Sequence, residues 1–386
     1  MPTVYATSML RNANKAPKTI EAHLRAIALF GEWSSKLHVS AERRLLKGDV
    51  LSVPELDSLS DYLRLKNEGR GQDRQKTNRR PHCGIEAARA RPKQSASAVA
   101  RCTAANRLRY VRDYIVWLCG VAKPRADAAA VSTMIASLTA RIGAKQRRVQ
   151  AYKRGLPVAA RDGLLAVSRA SHPENPFRGK STRQRNEVLV RLLYETGMRR
   201  GEALGIKILD LDMFSQTVAI HRRGNDPDDR RLDEPNAKCA ARTIPISEAL
   251  LLRIQSYIAT ARRAEVQARK HPYLFVSHGR NAGRPMSLRT ANYVFEQLQP
   301  LVGEELTPHT MRHTWNDRFS ELVDRNTATK TERSHAEEER VRSRLMGWSA
   351  RSQMAAVYTR RHVEHKSREA MMNLNQAISC EADGDA

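Results

Sequence analysis

Apolar residues recur at helical spacing through the first third of the chain. Ile20, Leu24 and Ile27 lie three and four positions apart, and Phe30 and Trp33 continue the stripe, which predicts an amphipathic helix. Thr19, shortly after Pro17, is its expected N-cap. A second helix is expected over 54–65. Residues 66–100 then lose the periodicity and fill with Arg, Lys, Gly and Gln, which predicts a loop or partly ordered basic arm ending at 101. Leu108, Val111, Ile115 and Leu118 mark another helix, with Arg107, Arg109 and Arg112 off its apolar stripe, and 128–142 supplies a further one. The basic stretch 144–157, broken by Gly155 and Pro157, is the expected connection between domains.

From about residue 156 the texture becomes mixed. Apolar residues from Val188 to Tyr194 end a helix that Gly197 stops from a C′ position. A new helix follows at once and carries Arg199 and Glu202. Residues 217–221 and 241–246 have strand character, separated by a turn-rich stretch at 224–229. Ser247 is expected to cap a helix through Ile258, and Ser287 another through Leu298, with a short apolar strand or extended piece at 273–276 between them. Thr307 followed by Pro308 has the form of an N-cap with proline at the first helical position. The pattern therefore predicts a mainly α protein with a small β-sheet in its C-terminal part. It divides into a helical domain over 1–150, a mixed domain over 156–378 and a tail over 379–386.

The 386 residues carry 67 Lys+Arg against 41 Asp+Glu, a net charge of +26. Such a surplus repels itself unless a polyanion neutralises it, and nucleic acid is the commonest such partner. A basic ribosome-associated protein has the same composition, so charge alone does not separate the two. The five cysteines are dispersed, with no C-x-x-C pair and no zinc spacing, as expected of reduced thiols in the cytoplasm. The N-terminus lacks a signal-peptide pattern, and no apolar run is long enough to span a bilayer. The chain is therefore expected to be cytoplasmic and nucleoid-associated, with no membrane partner.

Three segments bear chemistry in one order: Thr196 to Glu202, His309 to His313, and Gly347-Trp348 followed by Tyr358. Arg199 sits in an expected opening helical turn, where its planar fork could hold two phosphate oxygens. Glu202, three residues on, could hold that fork. His309 and Arg312 repeat the i, i+3 spacing on one helical face, and His313 lies one turn from His309, free to join them or to pack inward. Lys238, between the two strands, could deliver a proton to a leaving oxygen. Tyr358 supplies a phenol, which needs nearby cations to act as a nucleophile at ordinary pH. Taken singly, each has a plainer reading: a surface ion pair, a capped helix, a solvated lysine, core aromatics. The ordered set is what points to attack on a phosphodiester without a metal or other cofactor.

These segments resemble those of the tyrosine recombinases, the phage-integrase-type site-specific recombinases. The T-G-x-R-x-x-E pattern of that family is matched by Thr196 to Glu202, and H-x-x-R by His309 and Arg312. Gly347-Trp348 matches the glycine with its following His or Trp, and Tyr358, ten residues on, the tyrosine. Lys238 and the Arg242 to Pro245 stretch match the family's hairpin lysine and R-x-[IVL]-P. The resemblance spans about 156–374. It departs in a charged run at 330–344 and in a long, acidic hairpin at 226–233.

The resemblance implies a C-shaped DNA clamp, with a helical core-binding domain and a catalytic domain. Arg199 and Arg312 would neutralise the phosphate, His309 would assist by hydrogen bonding or by accepting the tyrosine proton, Lys238 would protonate the 5′ oxygen, and Trp348 would pack beneath the phosphate and offer its N–H. Tyr358 would form a 3′-phosphotyrosyl link, with no cofactor and no metal. The implied partners are double-stranded recombination sites, a homo-tetramer assembled on them, and sister recombinases or accessory proteins. A helix at 367–378 is the expected element for docking between subunits, or else a tail folded on its own domain. Arg74, Lys76, Arg79, Arg80, Arg107 and Arg112 are the expected DNA-contacting residues, although a basic run is as readily a solvated face. A type IB topoisomerase or telomere resolvase would use the same catalytic set. A silent DNA-binding regulator would not need Tyr358 and both arginines, and a basic RNA-binding scaffold would bind without cutting.

Overall fold

The computed structural model describes residues 1–13, 15, 17–65, 98–121, 127–142, 154–224, 226–231, 233–235, 240–279, 281–327, 335–349, 352, 354–359, 367–368 and 371–372. The chain divides into two compact units, Met1–Gln150 and Ala151–Ala386.

The described residues of the first unit are mainly helical. Helix α1 (Pro2–Tyr5) continues as a π-helical turn to Arg11, and is followed by α2 (Pro17–Lys36), α3 (Ala41–Lys47), α4 (Val53–Arg64), α5 (Arg101–Val121) and α6 (Ala128–Ile142). The expected N-cap at Thr19 is corrected: α2 begins at Pro17 and Thr19 lies inside its first turn. Proline suits that position because the first helical N–H has no intrahelical acceptor to lose. Helix α5 packs against α2, α3, α4 and α6, and its Leu108, Val111, Tyr114 and Ile115 join Phe30, Trp33, Leu45, Leu56 and Leu59 in one core. At the start of α4, the Ser52 N–H donates to the Glu55 carboxylate at 2.7 Å, which settles a backbone donor that the helix itself leaves open.

The basic stretch at 66–97 lies outside the described residues, but the residues that flank it meet. Leu65 and Ala98 form an antiparallel bridge, and the Val99 N–H donates to the Arg64 carbonyl at 2.8 Å.

The second unit contains α7 (Val158–Val167), α8 (Lys180–Thr196), α9 (Arg200–Leu204), strands β1 (Leu211–Asp212), β2 (Thr217–Ile220) and β3 (Arg242–Pro245), then α10 (Glu248–Tyr257), α11 (Leu288–Val302), α12 (Pro308–Thr327) and α13 (His335–Met346). The sheet is antiparallel in the order β1-β2-β3, with Val218 opposite Ile244. Alternation turns Val218, Ile220 and Ile244 into the core. Helix α8 packs against α10 and α12, and its Val188, Leu189, Leu192 and Leu193 are fully buried. The extended 273–276 piece is buried as well, tied by isolated bridges from Tyr273 to Lys207 and from Val276 to Pro285.

The charged run at 330–344 resolves into α13 from His335 onward. Arg342 is fully buried there. It donates to the Asn316 carbonyl at 3.1 Å and the Ser320 hydroxyl at 2.7 Å, pairs with Glu338, and lies over the Phe319 ring. The acids of the long hairpin are likewise spent on anchoring. Asp226 pairs with Lys207 and accepts from the Tyr273 hydroxyl, and Asp229 pairs with Arg231.

Candidate active site

Gly197 begins the site. It ends α8 in the left-handed region, at φ +60°, and a Cβ there would stand 2.7 Å from the Trp315 ring, so both backbone and packing require glycine. The reversal puts Arg199 in extended backbone as the N-cap of α9. Its N–H donates to Glu202 at 3.0 Å, and its guanidinium to the other carboxylate oxygen at 3.2 Å. The Arg199 side chain remains about one-third exposed, at 32%, whereas that of Glu202 is fully covered. Of this pair, Arg199 offers its side chain to solvent and Glu202 does not.

Arg242 reaches the same carboxylate from β3, at 2.7 Å, with its side chain 5% exposed. Its Nε donates to the Leu345 carbonyl at 2.8 Å, near the end of α13. Burial opposes ionisation of Glu202, but the charge and hydrogen bond of Arg242, the Arg199 N–H and the charge of Arg312 together hold its carboxyl below the usual carboxylate range.

Arg312 lies at the start of the second turn of α12 and is buried. It donates to the Gly197 carbonyl at 2.9 Å and to the Met346 carbonyl at 3.0 Å, joining the turn before Arg199 to the turn that carries Trp348. The Arg312 guanidinium lies 5.4 Å from the centre of the Trp348 ring. Trp348 stacks in turn on Tyr358, with centroids 5.5 Å apart and planes 13° from parallel. Tyr358 sits on a short helix at 354–359, 4% exposed, and its hydroxyl lies 3.0 Å from Nδ1 of His313. His313 meets His309 edge to face at 4.6 Å, and His309 itself is exposed.

The structure thus links Arg199, Glu202, Arg312, Trp348, Tyr358 and His309 through one continuous set of contacts. Lys238 lies outside the described residues, as do Arg74, Lys76, Arg79 and Arg80. Arg107 is engaged within its own unit: it donates to the Leu63 and Leu65 carbonyls at 2.9 and 2.8 Å, closing the end of α4 beside the base of the basic stretch. Arg112 pairs with its neighbour Asp113 at 2.8 Å. Of the expected docking helix, residues 367–368 and 371–372 are helical and exposed, and 369–370 and 373–378 lie outside the described residues.

Two residues of this cluster lie outside the expected catalytic set. Arg242 was visible only as a marker beside the lysine, because strand alternation does not reveal a buried guanidinium. His313 was visible only as a neighbour of Arg312, although its i+4 spacing from His309 placed it on the right face. Among the described residues no group of three or more metal-ligating side chains comes together, and no helix is long and apolar enough to cross a membrane.

Residues 167–365 match the model of the phage integrase family. This span holds the cluster described above and more than half of the chain. The chain belongs to the phage integrase family. Similar curated proteins are the tyrosine recombinase XerD of Halalkalibacterium halodurans, 31% identical over 133 residues, and XerA of Pyrococcus horikoshii, 31% identical over 131. Each alignment covers 34% of this chain and 39% of the relative, so the chain spans about two-fifths of the length of these proteins. Among solved structures, the XerA recombinase aligns with 93% of the chain and 92% of its own, at 14% identity and a TM-score of 0.37. A XerH recombinase bound to its difH substrate aligns with 70% of the chain and 65% of its own, at 17% identity and a TM-score of 0.45. In its mainly helical make-up with a three-stranded sheet, this phage-integrase-family chain has the fold class that its apolar pattern predicts.

Proposed function

We propose that the chain is a site-specific DNA recombinase that cuts and rejoins strands through a 3′-phosphotyrosyl intermediate. One observation carries this reading: the Tyr358 hydroxyl is held in the same cluster as a guanidinium, an indole and two imidazoles, within a chain of the phage integrase family. Arg199 and Arg312 neutralise charge on the non-bridging oxygens, the electrostatic term that dominates such reactions. Glu202 and Arg242 hold Arg199 in place, Trp348 supports the phenol, and His309 stands at the exposed edge to meet the phosphate. Lys238 protonates the 5′ oxygen as it leaves. No nucleotide is consumed, because the phosphotyrosyl bond retains the energy of the broken phosphodiester.

In this reading residues 1–150 form the core-binding domain and 156–378 the catalytic domain. Arg74, Lys76, Arg79, Arg80 and Arg112 contact phosphates. The partners are double-stranded recombination sites, on which four copies assemble, with sister recombinases or accessory proteins joining where the site requires them.

The test uses the full chain with a plasmid carrying the DNA that flanks its own gene. After denaturation the unaltered chain is expected to remain covalently attached to a DNA 3′ end, and Tyr358→Phe to bind equally well without forming the adduct. An adduct that persists in Tyr358→Phe would exclude this nucleophile. DNA binding without any adduct from the unaltered chain would exclude the reaction.

A further inference from the structure

The hydroxyl that is to attack the phosphate lies within hydrogen-bond distance of the histidine that follows Arg312. Nδ1 of His313 lies 3.0 Å from Tyr358 Oη, while His309 lies one turn earlier on α12, exposed, with its ring edge against His313. Helical spacing explains the division: i and i+4 put both rings on one face, one toward solvent and the other toward Tyr358. Stacking on Trp348 fixes the plane of the phenol, so the hydroxyl is directed at His313 by two independent contacts.

We propose that His313 is the base that takes the proton from the Tyr358 nucleophile, which deepens the phosphotyrosyl reading and rests on it. Phenols hold protons more tightly than imidazoles, so at rest the proton belongs to Oη and Nδ1 accepts the hydrogen bond. As the bond from Oη to phosphorus forms, the Oη–H bond breaks and its proton passes to Nδ1. The bond from phosphorus to the 5′ oxygen breaks with its electron pair on that oxygen, which takes a proton from the acid assigned to Lys238. In rejoining, the 5′ hydroxyl attacks and the imidazolium returns its proton to the departing Oη. The same contact thus serves both directions.

The experiment measures single-turnover adduct formation on a nicked duplex built from the cleavage site mapped in the flanking DNA. His313→Asn keeps an acceptor oxygen close to the place of Nδ1 but cannot take a proton. It is expected to bind DNA and melt as the unaltered chain does, yet to form adduct about 100-fold more slowly, a typical loss for a missing base. A duplex with sulfur at the 5′ bridging position, a leaving group that needs no proton, should leave this defect in place while rescuing Lys238→Ala. Added imidazole should accelerate His313→Ala. An adduct rate for His313→Asn equal to that of the unaltered chain, or its recovery on the sulfur substrate, overturns the assignment of the base while leaving the phosphotyrosyl reading intact. Absence of adduct from the unaltered chain removes both.

Discussion

Glu202 is a carboxylate placed for its neighbours, between Arg199 and Arg242. It is 3% exposed and accepts hydrogen bonds from the Arg199 backbone, the Arg199 guanidinium and Arg242. Removing one member of such a buried set leaves the others charged and unpaired, at a cost of about 3 kcal/mol. Glu202→Gln should therefore lower unfolding free energy by about that amount at neutral pH and slow adduct formation through a loosened Arg199. The pH dependence has a definite sign. A carboxyl whose folded pKa lies below its unfolded value stabilises the fold above the usual carboxylate range, and that stability is lost as pH falls through the folded pKa. The gap between unaltered and Glu202→Gln unfolding curves should thus be full near neutrality and close below about pH 4. Urea titrations at several pH values measure it; a gap that widens in acid would show that the carboxylate is not held ionised by its arginines.

At the scale of elements, the turn between α8 and α9 sets the position of Arg199, and Gly197 sets the turn. Alanine there would have to adopt φ +60° with its Cβ 2.7 Å from the Trp315 ring. The left-handed backbone costs about 1 kcal/mol and the overpacking about 1–3 more. Gly197→Ala should lose about 2–4 kcal/mol in denaturant unfolding; a loss under about 0.5 kcal/mol, the range of a neutral surface change, would mean that the turn does not need glycine. This stop was legible in the sequence, because a glycine after an apolar helical run has a fixed backbone meaning. So were the helices with a regular stripe: the expected 128–142 coincides with α6. The π-extended helix at Pro2–Arg11 was not, since only Tyr5 and Leu10 among its residues are buried and two apolar contacts make no period. Helix α13 was hidden for the opposite reason. It is fixed partly by Arg342 bonding to α12, and hydrophobic patterning does not register a charged residue that is buried by hydrogen bonds. The partnership of Arg242 with Glu202 joins positions 40 apart, and sequence spacing marks only neighbours on one element.

For the whole molecule the surplus of +26 is unevenly placed. Residues 66–97 contain nine Lys or Arg and three Asp or Glu, and the flanking residues Leu65 and Ala98 are bridged to each other. Because these flanking residues already meet, the stretch can be replaced by a short Gly-Ser linker without moving α4 or α5. Closing a loop of different length changes stability by only about 0.6 kcal/mol per doubling, so the melting of the first unit should barely change. DNA binding should change a great deal if these cations meet phosphates. Each neutralised phosphate adds about 0.9 to the slope of log affinity against log salt, so the replacement should both weaken binding at low salt and make the slope shallower by several units. Arg107, engaged with the Leu63 and Leu65 carbonyls, should behave differently: Arg107→Ala acts on the stability of the base of the arm and leaves the salt slope nearly unchanged. Fluorescence anisotropy on one duplex across a salt series separates the two. An unaltered slope after the replacement would show that the stretch carries its charge in solvent, and that the phosphates are met elsewhere on the protein.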